Sequence, residues 1–351
     1  LAANQNHPEA LNNLGNIYFE GNYVIRDINK AIHYYSLAAK QNHPDSQYNL
    51  GCIYYQNICI ARDISKAIHY YSLAANQNHP EAQFNLGNIY FEGKYVTQDI
   101  NKAIYYYSLA ANQNHNKAQN NLGFIFSNGK YIAQDINKAI IYLSLAAKQN
   151  NPEAQYNLGD IYYNKLKDFN IGIKWILESA EKGNVKGCFV IGFLYHEGKN
   201  INRDIEKSIH YYKEASSFKD KYAKNNLGII YKHGIKNEIE KNIINAEIYF
   251  TEAINQNNDR VSMYNLAHLY IYEQQTEESI DKSINLLINS LNLEFYQSSI
   301  LLLIVLFKKY DKNLENIKNC FTKCNKKVYN CLFTLINFDH FISLFKNETI
   351  L

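Results

Sequence analysis

Cys320, Cys324, Cys331 and His340 form the densest set of metal-ligand side chains in this sequence. Cys320 and Cys324 share one face if the segment is helical, but the remaining spacing fits no common zinc pattern. Small cysteines filling a core account for the set without a metal. A second candidate is the series His7, His43, His79 and His115, which recurs every 36 residues. Equivalent turns on packed helices stand about 10 Å apart, whereas one zinc ion needs its ligands at about 2 Å. These histidines therefore read as turn residues, and no metal and no cofactor are expected. The chain has no G-x-S-x-G, no H-E-x-x-H, no P-loop and no dinucleotide-binding glycine pattern. No catalytic residues are assigned, and a non-enzymatic protein is expected.

What recurs with chemical capacity is an amide. Asn13, Asn49, Asn85, Asn121, Asn157, Asn226 and Asn265 each stand directly before a Leu-Gly or Leu-Ala step, and only Val190 breaks the series. An asparagine side chain carries one acceptor and two donors, so it can pair with the N–H and C=O of an extended chain of any sequence. The competing reading is that these amides bond within the repeat, or follow the bias of the chain toward Asn, Tyr, Ile and Lys. Both readings require an element that presents the same position again and again.

That element is a repeat. The Leu-Gly pair falls at Leu14-Gly15, Leu50-Gly51, Leu86-Gly87, Leu122-Gly123 and Leu158-Gly159, then as Ile191-Gly192, Leu227-Gly228 and Leu266-Ala267. A fixed period of this length signals stacked supersecondary units. Within a unit, Leu11, Leu14 and Tyr18 make one helical stripe, and Ile28, Ala31, Ile32, Tyr35, Ala38 and Ala39 make a second. The first unit thus predicts helices over about 9–20 and 28–41.

Boundary residues agree. Asp27, Asp63, Asp99, Asp135, Asp168, Asp204, Asn242 and Ser279 are the expected N-caps of the second helices. Pro8, Pro44, Pro80 and Pro152 suit the first turn of the first helices. Asn42, Asn78, Asn114, Asn150 and Gly183 suit a left-handed C-terminal cap. A glycine inside a helix costs roughly 1 kcal/mol against alanine, so Gly15 and its equivalents imply a close helix approach. The Ala-Ala pairs (38–39, 74–75, 110–111, 146–147) are the expected opposing surface. The recurrent Tyr18 position (Tyr54, Tyr90, Phe126, Tyr162, Tyr195, Tyr231, Tyr270) is expected in the core.

The pattern A-x3-LG-x2-Y-x2-G-x5-D-x3-A-x6-AA, shown in full by EALNNLGNIYFEGNYVIRDINKAIHYYSLAA (9–39), resembles the Sel-one-like repeat, a cousin of the tetratricopeptide repeat. It holds through Ala147, loses three loop residues in the fifth unit, and is degraded in the seventh and eighth. The resemblance implies an all-α fold, an α/α right-handed superhelix serving as an adaptor for protein complexes. In tetratricopeptide arrays the first helix lines the concave side, where Asn at the matching place can grip a peptide backbone. Some relatives are Cys-rich, secreted and linked to β-lactams, with one Cys in the Ala-Ala pair and another eight residues later. Here only Cys188 fits, and Ala180 stands where its partner would be.

The array is expected over 1–292, with a degenerate ninth repeat and helical cap over 293–351. Ile300 to Phe307 would be the first helix of that repeat, Leu314, Ile317, Phe321 and Cys324 its second, and Val328 to Phe345 further helix. The chain opens at Leu1-Ala2-Ala3, the end of a repeat's second helix, and reads as a fragment of a longer protein. The alternative function is therefore a regulatory or docking arm of an enzyme, such as a kinase, whose catalytic domain lies upstream. Net charge is +3 with 20% charged residues, too weak and scattered for a nucleic-acid surface. No apolar run approaches the roughly 20 residues that cross a bilayer. Six cysteines that ignore the repeat suggest a reducing, cytoplasmic setting. The expected partners are other proteins or peptides, gathered for a scaffold or signalling role.

Overall fold

The computed structural model describes residues 7–56, 60–236 and 238–309, with isolated positions 316, 319, 320, 323 and 326. Each repeat is a pair of antiparallel helices. Five pairs fill one compact unit, Leu1–Lys182: α1 (Pro8–Glu20) with α2 (Ile28–Ala39), α3 (Pro44–Gln56) with α4 (Ile64–Asn76), α5 (Pro80–Glu92) with α6 (Ile100–Asn112), α7 (Asn116–Asn128) with α8 (Ile136–Lys148), and α9 (Pro152–Asp160) with α10 (Phe169–Glu181). A second unit, Gly183–Leu351, holds α11 (Val185–Glu197) with α12 (Ile205–Ser217), α13 (Lys221–His233) with α14 (Ile243–Asn257), α15 (Arg260–Leu269) with α16 (Glu277–Asn292), and α17 (Gln297–Lys309). Among the described residues there is no strand, only an isolated bridge between Ile235 and Ile239. The all-α repeat architecture is the one expected.

The caps explain the boundaries. Asp27, Asp63, Asp99, Asp135, Asp168, Asp204 and Asn242 each accept from the backbone N–H three residues on. The eighth expectation was one turn out: Thr276, not Ser279, caps α16, accepting from the Ser279 N–H at 3.1 Å. Asn42, Asn78, Asn114, Asn150 and Gly183 all take positive φ, as a left-handed cap requires. A three-residue deletion in the fifth repeat is absorbed by a π-turn over Ile161–Lys165 that closes α9, and Lys167 then turns with φ 59°. Even so, the Asp168 N–H still reaches the Tyr162 carbonyl, as Asp27 reaches Tyr18 in the full-length loop. The same π-turn, Tyr270–Gln274, serves the eighth repeat.

The core is built differently from the expected glycine–alanine contact. A Cβ on Gly51 or Gly87 would stand 2.5 Å from the ring of Tyr71 or Tyr107 on the second helix of the same repeat. Tyr35, Leu143, Ile176, Tyr212 and Phe250 occupy that place in other repeats. The glycine therefore makes room for a fully buried ring, and the Ala-Ala pairs are buried elsewhere. The Tyr18 series is also shallower than expected. Tyr18, Tyr54, Tyr90 and Phe126 are half-buried and stack within 10° of parallel on Tyr34, Tyr70, Tyr106 and Tyr142. Lys30, Lys66, Lys102 and Lys138 lie over their rings. Of that series, Tyr195 and Tyr270 are the buried members.

Candidate functional site

Each residue of the asparagine series sits on the first helix of its repeat, one place before a leucine that is buried in every repeat of the series but the first, where Leu14 is half-buried. Asn13 is exposed; Asn49, Asn85, Asn121, Asn157, Asn226 and Asn265 are half-buried. The structure joins neighbours in the series through the preceding repeat. Asn49 donates from Nδ2 to Oδ1 of Asn12 at 3.3 Å and of Asn16 at 3.4 Å, and Tyr35 donates its hydroxyl to that same Asn16 oxygen at 2.7 Å. Asn121 donates to Asn88, which also holds the hydroxyl of buried Tyr107. Asn85 bonds to the hydroxyls of Tyr48 and Tyr71, and Asn157 donates to Asn120 at 3.0 Å. In the second unit Asn226 donates to the Tyr212 hydroxyl at 3.0 Å and Asn265 to Asn225 at 2.8 Å.

The side-chain amides thus tie the first helices of six repeats to a polar group of the repeat before them. Burial pushes the hydroxyls of Tyr35, Tyr71, Tyr107 and Tyr212 well above the usual phenol range, so they stay protonated. Among the described residues, no protein donor is bonded to Oδ1 of Asn49, Asn121, Asn157, Asn226 or Asn265. Asn49, Asn121, Asn157, Asn226 and Asn265 therefore combine a structural donor with an acceptor that no described residue uses.

A cleft of about 540 Å³ opens beside Asn85, lined by Tyr48, Glu81, Phe84, His115 and Lys117. Tyr48 stacks on His79 and Phe84 on His115, each pair with ring centroids 4.6 Å apart. The histidines do the turn work expected of them. His79 and His115 accept at Nδ1 from the Ala82 and Ala118 N–H groups at 3.2 Å. Their helix-capping role had left no cue beyond position, because histidine is not among the usual cap residues. Burial pulls the His115 imidazole below its usual range, against the raising influence of Glu81.

A buried network that the sequence did not disclose runs beneath. Gln47, Gln83, Gln119 and Gln155 each donate to the carbonyl of Ala39, Ala75, Ala111 or Ala147, the end of the preceding second helix. Gln77, Gln113 and Gln149 donate in turn to Gln47, Gln83 and Gln119. The recurring separation of 30 residues was the available signal. The second unit replaces these glutamines with Cys188, Lys224 and Met263. Burial pushes the Cys188 thiol up to about 11, the opposite of an activated thiolate. Lys224 bonds Glu252 at 2.6 Å. Lys232, buried, meets Nδ1 of His268 at 2.9 Å; desolvation lowers both groups, and they staple the seventh repeat to the eighth. Cys59, Cys324, Cys331 and His340 lie outside the described residues, as do Leu314, Ile317 and Phe321 and the segment expected as helix over 328–345.

Comparison with known proteins follows the repeat closely. The Sel1 repeat model matches residues 8–43, 44–79, 80–115, 116–151, 152–184, 185–217, 221–258 and 260–290. Among solved structures, a protective antigen of uropathogenic Escherichia coli strains that displays an SLR fold shares 25% identity at a TM-score of 0.79. That likeness covers 95% of this chain and 73% of that one. A Sel1 repeat protein from Oxalobacter formigenes shares the fold at 23% identity and a TM-score of 0.68, over 86% of this chain and 88% of that one. The chitin synthase regulator SKT5 of Saccharomyces cerevisiae is 36% identical over 61 residues, which span 17% of this chain and 9% of that protein.

Proposed function

The chain belongs to the Sel1 repeat family, and on that premise we propose that it is a non-enzymatic scaffold that holds extended peptide segments of partner proteins across its first helices. Proteins built from this repeat are in general interaction scaffolds. The observation that carries the finer reading is the asparagine series. At one position on neighbouring helices, Asn49, Asn121 and Asn157, and likewise Asn226 and Asn265, have carbonyl oxygens that no donor among the described residues uses, while their amide nitrogens bond the preceding repeat. Neighbouring first helices stand about 10 Å apart, and an extended chain covers that in about three residues. One asparagine thus meets every third residue of a bound peptide. At about 1 kcal/mol per net hydrogen bond, several such contacts with a cleft for a side chain give micromolar binding.

The yeast relative is named as a regulator of an enzyme, which fits a non-catalytic holding role, although the shared stretch is a small part of that protein. Among the described residues no helix is long and apolar enough to cross a membrane. We place the protein in the cytoplasm, without nucleic-acid partners. The test is capture of extended peptides by Asn85→Ala with Asn121→Ala in one chain. Loss of capture is expected; unchanged capture overturns the peptide-holding role.

A further inference from the structure

The two helix layers of the Leu1–Lys182 unit differ in charge. The first helices α1, α3, α5, α7 and α9 carry seven carboxylates and a single ammonium, Lys117. The second helices α2, α4, α6, α8 and α10 carry six lysines and two glutamates. The near-neutral total of the chain conceals this separation.

The carboxylates are available. Glu9, Asp45 and Glu81 hold the same first-turn position in three successive repeats, with side chains 59%, 59% and 53% exposed. Glu153 holds it in the fifth. Their bonded neighbours are imidazoles and an amide, His43, His79 and Asn120, not lysine or arginine. Four of the six lysines of the second helices are occupied elsewhere: Lys30, Lys66, Lys102 and Lys138 pair with the capping aspartates Asp27, Asp63, Asp99 and Asp135.

The cleft adds a shaped place on this surface. Glu81 stands at its edge with Tyr48, Phe84 and Asn85 along its wall. A long cationic side chain lays an aliphatic stem on aromatic surface and keeps its charge at the rim. We infer that the occupant of the first-helix face is a basic extended peptide, with arginine or lysine at about every third residue, one of them seated in this cleft against Glu81. The inference rests on the peptide-holding reading and adds the partner's charge. On α1, α3, α5, α7 and α9, the face to which the inference applies, Lys117 is the one ammonium placed against it.

The experiment uses fluorescein-labelled peptides of about twelve residues, with arginine, glutamine or glutamate at every third position and serine or alanine between. Binding to the full chain is read by anisotropy. The arginine peptide is expected to bind about tenfold tighter than the glutamine peptide at low salt, an advantage that shrinks as salt rises. Glu81→Gln should weaken the arginine peptide by roughly three- to fivefold and leave the glutamine peptide unchanged, while Lys117→Glu should tighten the arginine peptide. Equal binding of arginine and glutamine peptides, with both variants silent, overturns the charge inference and leaves peptide holding intact. Preference for the glutamate peptide overturns it as well. Failure of every peptide to bind overturns both.

Discussion

Gln113 donates a 2.9 Å hydrogen bond from Nε2 to Oε1 of Gln83, and Gln83 donates its own Nε2 to the carbonyl of Ala75 at 3.1 Å. A single buried amide thereby joins the ends of α4 and α6 to α5, with donor and acceptor both used. A buried amide left half-satisfied costs more than the mean hydrogen bond contributes.

The ladder breaks at its last rung. Gln155 is buried and donates to Ala147, but its Oε1 has no partner. The position that supplies the donor in earlier repeats, the cap after the second helix, is Lys182, whose ammonium turns to Asn150 instead. Lys182→Gln should restore the rung and stabilise the protein by about 1 kcal/mol. Urea denaturation of the whole chain reads this; an unchanged midpoint would show that the shortened fifth repeat has moved the cap out of reach.

Gly87 faces the Tyr107 ring so closely that one methyl group cannot fit without movement. Gly87→Ala should cost about 1–3 kcal/mol through overpacking, more than the helix propensity of alanine returns. Gly87→Leu should cost still more. Combining Gly87→Ala with Tyr107→Leu should recover part of the loss, since the two changes share one contact. Additive losses in thermal melts would mean that the glycine serves something other than the ring.

His115 caps α7 through an unprotonated Nδ1. The groups facing it are Glu81 and Phe84 from α5 and Lys117 from its own helix. Its folded pKa is lowered, so the unfolded chain takes up the proton first. The stabilisation is complete above the unfolded value of about 6.5 and declines as pH falls below it. Stability should therefore drop between pH 7 and 5. In the fifth repeat Asn151 performs the same capping with Oδ1, 3.0 Å from the Ala154 N–H. His115→Asn should keep the cap and flatten the pH slope; a slope unchanged by the substitution places the titration elsewhere.

Tyr71 and Tyr107 offer a way to separate the two jobs of the asparagines. Their hydroxyls are part of the inter-repeat network but face the interior. Tyr71→Phe with Tyr107→Phe should lower stability by about 1–2 kcal/mol and leave peptide capture unchanged. Asn85→Ala with Asn121→Ala should reduce both. If the tyrosine pair abolished capture equally, the asparagines would act only as spacers between repeats.

The repeat, the helix pairs and nearly every boundary were legible in the order of the residues. Those features are local: a cap aspartate bonds an N–H three residues away, and Asn42 or Gly183 adopts a left-handed turn within its own segment. The exception, Thr276 in place of Ser279, arose because α16 starts about one turn earlier than most second helices, while the buried Ser283 keeps the place of Ala31. What lies across the helices came from packing. Gly87 and Tyr107 are 20 residues apart and Gln83 and Gln113 are 30; periodicity marks that such separations recur but not that the side chains meet, because helix rotation sets which of them face each other. The asparagines were legible as a series. That the nitrogens of Asn49, Asn121 and Asn157 lean on the previous repeat, while no described donor uses their oxygens, depends on how one helix pair packs against the next.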